Sequence, residues 1–118
     1  MKVIIAGGRG FNDLEKLSNF CDTILSNIEE DIEIVSGTAN GADKLGEKYA
    51  KEKGYAIKQF PADWDAHGKS AGYIRNAEMA KYADALIAFW DGKSKGTKHM
   101  IDLAKYYKLK VKIIIYNN

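Results

Sequence analysis

Three stretches of the chain place glycines beside hydroxyl or guanidinium side chains immediately after an apolar run. They read Ile5-Ala-Gly-Gly-Arg-Gly-Phe-Asn-Asp13, Val35-Ser-Gly-Thr-Ala-Asn-Gly-Ala-Asp43 and Phe89-Trp-Asp-Gly-Lys-Ser-Lys-Gly-Thr97. Glycine lets backbone N–H groups come close to a ligand, and a helix that starts just beyond aims its positive dipole end at the same spot. A phosphate is the guest such loops suit. In the first stretch Gly8 and Gly10 flank Arg9, whose planar guanidinium can hold a phosphate through two parallel N–H bonds, and Phe11 completes the set. In the second, Ser36, Gly37, Thr38 and Gly41 form the cradle, while Asp43 fixes the loop or a ribose hydroxyl. In the third, Asp91, Ser94, Gly96 and Thr97 precede a helix, with Thr97 as its expected cap. Arg75 and Asn76 lie near the start of another helix and reach the same place only if that helix begins at its rim.

Other chemistries fit less well. A full dinucleotide fingerprint needs a third glycine where Asp13 stands, and the two Gly-Lys-Ser triplets lack the leading glycine of a Walker loop, at Asp63 and Ile87. His67 and His99 do not have metal-ligand spacing, so no metal and no cofactor is expected. Ser36 is not in a nucleophile elbow and has no evident base. Trp64, Tyr73 and Trp90 can stack on a base or pack in the core; both readings stand.

The elements that would bring these loops together follow from periodicity. Strands are expected at Lys2–Ala6, Ile32–Val35, Ala56–Phe60, Ala85–Trp90 and Val111–Ile115. Helices are expected from an Asn12 cap to about Ile28, from Ala42 to a stop at Gly54, from Tyr73 to Tyr82, and from Thr97 onward. Residues 61–72 read as a long irregular connection, of a kind that is often functional. Strands alternating with helices call for a parallel sheet with right-handed crossovers. The two most apolar strands, the first and fourth, belong side by side at its centre, which gives the order 3-2-1-4-5. Ligands bind outside the strand carboxyl ends where the winding reverses, so all three glycine loops converge there.

With 118 residues and 46% hydrophobic content the chain suits one domain, and a net charge of +2 is too mild to indicate nucleic acid or membrane binding. The single cysteine, Cys21, falls in the apolar register of the first helix and is expected in the core. No apolar run approaches the ~20 residues of a membrane span, and a cytoplasmic protein is expected.

Five blocks carry a family likeness: Gly-Gly-Arg-Gly-Phe from Gly7, Ser-Gly-Thr-Ala-Asn-Gly-Ala-Asp from Ser36, Phe-Pro-Ala-Asp-Trp from Phe60, Gly-Lys-Ser-Ala-Gly-Tyr-Ile-Arg-Asn-Ala-Glu-Met from Gly68, and Ala-Phe-Trp-Asp-Gly-Lys-Ser-Lys-Gly-Thr-Lys-His-Met from Ala88. In that order they resemble the YspA-type, cpYpsA-related branch of the SLOG superfamily, which is common in bacteria and their phages. The resemblance implies a single Rossmann-like three-layer α/β/α domain that binds a nucleotide or nucleotide-derived signal, acting as a sensor or sequestering module. It also implies that Arg75 helps hold the nucleotide, and it suggests a homodimer or higher homo-oligomer.

Related Lonely-guy phosphoribohydrolases, which split a nucleoside monophosphate, imply an enzyme as the alternative. Their loop Pro-Gly-Gly-x-Gly-Thr-x-x-Glu, set on Gly96-Thr97, puts the proline on Gly92, two glycines on Lys93 and Ser94, and the catalytic glutamate on Met100. An enzyme would need a substitute carboxylate, with Glu78 and Asp91 as candidates. The second block is also similar to a loop of the single-strand DNA binder DprA, a role the weak net charge disfavours.

Overall fold

The computed structural model describes residues 1–117. Five parallel strands, β1 (Lys2–Gly7), β2 (Glu33–Ser36), β3 (Ala56–Gln59), β4 (Ala85–Trp90) and β5 (Lys110–Ile115), form one sheet in the order β3-β2-β1-β4-β5. The expected order is the observed one. β1 and β4 pair in register from Val3 opposite Ala85 to Gly7 opposite Phe89, and both are buried almost throughout. An unbroken apolar run is what a strand covered on both faces requires. β3 exposes Ala56, Lys58 and Gln59 and takes an edge.

Alternate residues of β1 feed two separate cores, as a period of two dictates. Val3 and Ile5 pack with Leu17, Cys21 and Leu25 of α1 (Leu14–Leu25) and Tyr49 of α2 (Ala42–Lys53). Ile4 and Ala6 pack on the other face with Met79 of α4 (Ala71–Tyr82) and with Met100 and Ala104 of α5 (Lys95–Tyr106). The chain therefore winds outward from β1 on one face and outward from β4 on the other, as crossovers of a single hand require. The reversal lies between β1 and β4, and this puts the crevice over their carboxyl ends. No helix among the described residues is long and apolar enough to cross a membrane.

Strand ends differ from expectation by one residue at most, and the helical segments differ in four places. The cap of α1 is Asp13, whose carboxylate accepts the Lys16 amide at 3.0 Å, and Asn12 stands outside the helix. That helix ends at Leu25 instead of Ile28: Ser26 donates to the Thr23 carbonyl, and Ile28 folds back onto the core from a turn. Residues 61–72 are not irregular throughout. Asp63 caps a one-turn helix, α3 (Trp64–His67), by accepting the Ala66 amide at 3.0 Å; a 3₁₀ turn follows at Gly68–Ser70, and α4 begins at Ala71, two residues before Tyr73. Last, α5 begins at Lys95 under a Ser94 cap, so Thr97 lies within its first turn. Cys21 is wholly buried, and burial pushes its thiol up to about 12, which leaves it an inert core residue.

Candidate functional site

The loops after β1, β2 and β4 meet at the carboxyl end of the sheet and, with α3 and the start of α4, enclose two adjoining cavities. The larger, about 420 Å³, is bordered by Gly8 and Gly10 of the first loop, by Asp91, Ser94, Gly96 and Thr97 of the third, and by Asp43 and Asn76. The smaller, about 380 Å³, lies between Gly37, Thr38 and Asn40 of the second loop and Ala62 before α3. Arg9, Ala39, Trp64 and Arg75 border both. Because α4 begins at Ala71, its first residues form the rim and Arg75 reaches inward.

The first two loops are locked together. The Gly8 carbonyl accepts the amides of Phe11 and Ala42, each at 3.2 Å. Gly41, at φ +84°, lies so close that a Cβ there would stand 2.3 Å from the Gly8 carbonyl oxygen. This corrects one expectation. The first amide of α2 is spent on Gly8, so the start of that helix braces the neighbouring loop instead of presenting that N–H to an anion. Gly8 itself is glycine because a Cβ would stand 2.0 Å from the Tyr116 hydroxyl.

Beneath the second loop a buried polar network sets its shape. Ser36, fully buried, donates to a Glu47 carboxylate oxygen at 2.6 Å and accepts the Thr38 amide at 3.0 Å; Gln59 holds the other Glu47 oxygen at 3.1 Å. Ser36 is therefore a support under the loop and borders neither cavity. It pins Thr38 in the left-handed region at φ 64°, an unfavourable place for a β-branched residue and one usually seen where a loop is held for a purpose. Asp43 accepts the Ala39 amide at 3.2 Å, and the Arg75 guanidinium donates to the Gly37 carbonyl and, through Nε, to Asn76 at 3.0 Å.

Burial dominates the electrostatics of this corner. It raises the Asp43 carboxyl to about 6, against the opposing effect of the Ala39 amide and Arg75. It also pulls the Arg75 guanidinium down, a trend that Asp43 opposes and the like charge of Arg9 reinforces. A carboxyl raised in the folded state stabilises the fold below its ordinary titration range, and that contribution is lost as pH rises through about 6. Urea midpoints should therefore fall between pH 4 and pH 7 by an amount equivalent to roughly 3 kcal/mol from this group, and Asp43→Asn should flatten that part of the profile.

At the third loop, Asp91 accepts the amides of Lys93 and Ser94, both at 2.8 Å, and these bonds hold its carboxyl below the usual range. Ser94 caps α5 by accepting the Thr97 amide at 3.5 Å, and the Thr97 hydroxyl donates to Ser94 at 3.2 Å. Thr97 is thus capped by Ser94 and does not itself cap the helix. Gly96 faces open space: a Cβ there would meet no protein atom within 4 Å. Asn76 reaches across from α4 to the Gly96 carbonyl at 3.4 Å and His99 at 3.2 Å, tying the two helices together at the cavity wall.

Besides Ser36, two expected site residues lie elsewhere. Phe11 is in the core, its ring stacked on Phe89 at 4.9 Å and edge-on to Tyr116 at 4.8 Å, because the turn after Gly10 folds this apolar side chain back under the sheet. Glu78 is exposed on the outer part of α4 and borders neither cavity. Trp64 and Tyr73 are about half exposed and line the cavity mouth, as a stacking surface would.

A family model described as "YspA, cpYpsA-related SLOG family" matches residues 1–67, which carry the first two loops, the network beneath them and α3. The chain belongs to this family. A relative, the Gene 61 protein of Mycobacterium phage D29, is 34% identical over 104 residues, covering 83% of each chain. The likeness to the SLOG family noted for the last two sequence blocks falls outside the matched residues, so Arg75, Asn76 and the third loop join the site on geometry.

In this SLOG chain sequence reasoning missed several lining residues, among them Ala39, Asn40 and Ala62, and most notably Tyr116. It borders the larger cavity, and its buried hydroxyl has no hydrogen-bond partner among the described residues. Its place directly after β5, at the carboxyl edge of the sheet, was the available signal. Since that hydroxyl makes no bond, Tyr116→Phe should leave the urea midpoint unchanged or raise it by up to about 1–2 kcal/mol equivalent. A fall would mean the phenol is bonded.

Proposed function

We propose that the protein binds a phosphorylated nucleotide or nucleotide-derived small molecule in these cavities and acts as a sensing or sequestering module. SLOG membership suggests a nucleotide-related function. The observation that carries the finer reading concerns arginine. Of the chain's 18 basic residues only Arg9 and Arg75 are arginines, and both border the two cavities. Neither has a carboxylate in ion-pair contact among the described residues. Two guanidinium groups face one crevice together with Lys69, against Asp91 and an Asp43 carboxyl that burial raises to about 6, and this balance favours an anionic guest.

Hydrolysis is the weaker reading. Met100 stands where phosphoribohydrolases carry glutamate and lines the larger cavity with an apolar side chain. Asp91 commits an oxygen to two loop amides, Asp43 is tied to Ala39, and Glu78 points elsewhere. An oxocarbenium-like transition state needs a carboxylate facing the sugar, and each of these has another task or another place.

The test is thermal denaturation with nucleoside mono- and diphosphates carrying each base, with mass spectrometry of the mixture. A raised melting temperature with intact ligand is expected, and Arg9→Ala should remove it without changing the melting temperature of the ligand-free protein, since the exposed Arg9 side chain makes no protein hydrogen bond or ion pair among those found. Release of free base would support the hydrolase instead, and stabilisation that survives Arg9→Ala and Arg75→Ala would remove the phosphate assignment.

A further inference from the structure

The site has two lobes and a charged waist, and this limits the shape of its ligand. One lobe lies under the start of α5 and the other under the second loop, and the four residues common to both include the two arginines and Trp64. Each lobe is near the lower end of the roughly 300–1,000 Å³ span of small-molecule pockets, enough for a sugar or nucleoside but small for anything larger.

The position of the positive charge matters more than its amount. A mononucleotide carries its anion at one end, so with its phosphate on the arginines it fills one lobe and leaves the other to water. A ligand that fills both must carry its anion in the middle. The waist offers two guanidinium charges, and Arg9 keeps all its donors free of the protein hydrogen bonds found here, while Arg75 spends Nε and Nη1 on Asn76 and Gly37. Two charges match an internal diphosphate better than a single phosphodiester. Trp64, half exposed on the waist, offers a ring face to the group in either lobe.

We propose that the ligand is two-headed: a nucleoside joined through a diphosphate to a second sugar or nucleoside, one head in each lobe. This rests on the nucleotide-binding reading and narrows it to a ligand class. In the second lobe Thr38 and Asn40 offer hydroxyl and amide groups suited to sugar hydroxyls.

The experiment compares matched pairs by calorimetry: ADP with ADP-ribose, UDP with UDP-glucose, and GDP with GDP-mannose, with a thymidine oligonucleotide as a further arm. In at least one pair the two-headed member should bind ten-fold or more tightly than its diphosphate. Ala62→Trp, which fills the second lobe, should bring the two affinities together. Equal affinities within every pair, with the diphosphates still bound, would overturn the two-headed ligand and leave the nucleotide reading intact. If the oligonucleotide outcompetes every pair, the lobes belong to a nucleic-acid strand and the proposal fails. No binding by any probe would overturn the nucleotide reading and the proposal with it.

Discussion

Arg75→Ala is expected to weaken nucleoside diphosphate binding by about 30- to 150-fold and to cost the ligand-free protein about 2 kcal/mol. The first figure is the loss of about 2–3 kcal/mol of charge-assisted hydrogen bonding to an anion. The second arises because Arg75 is also structural: its guanidinium bonds the Gly37 carbonyl, joining α4 to the second loop, and its charge opposes the desolvation of Asp43. Without it the Asp43 carboxyl should titrate higher still, so the pH-dependent loss of stability should be larger and extend to higher pH. Arg75→Lys should recover little of the binding, because an ammonium cannot span Gly37, Asn76 and a ligand at once. Calorimetry and urea denaturation of both variants separate the two effects, and Arg9→Ala, with weakened binding at unchanged stability, is the control.

Gly41→Ala should be the most damaging single methyl in the chain, at about 3–5 kcal/mol. Two independent penalties meet there. The backbone at φ +84° and ψ −130° is a conformation that side chains other than glycine scarcely adopt, and the new Cβ would collide with the Gly8 carbonyl. Relief requires the first two loops to part, so binding should fall with stability. Gly54→Ala is the internal comparison: its φ is +76° but nothing lies within 4 Å, so only the strain of about 1 kcal/mol remains. Chemical denaturation of the pair reads the difference; similar losses would mean that contact between the loops contributes little.

What the sequence disclosed, and what it hid, divides by the range of the interaction. The strand order was legible because Val3–Ala6 and Ala85–Phe89 are apolar without alternation, and only central strands tolerate that. The convergence of the three loops followed from that order. Short local features were less legible: Asn12 and Asp13 are both good caps, and only the geometry of the Lys16 amide chooses between them. The helix α3 is one turn long, too short to show a period. The contacts that decide individual site residues were hidden, because they join distant parts of the chain. The use of the Ala42 amide by Gly8, the burial of Phe11 against Phe89 and the placement of Tyr116 beneath Gly8 all depend on tertiary packing. Glycines at 8 and 41 looked like ligand contacts; close approach to the Tyr116 hydroxyl explains the first as well, and close approach of loop to loop the second.

The central claim is that the three loops form one anion-binding crevice, and amide NMR of the labelled protein during titration with ADP and ADP-ribose tests it most directly. Saturable shifts are expected at Gly8, Gly10, Ala39, Gly96 and the Arg75 side chain, residues that border the cavities from all three loops and α4. Shifts confined to the lysine-bearing outer surfaces of α5 and β5, or no saturable shift at millimolar ligand, would contradict it.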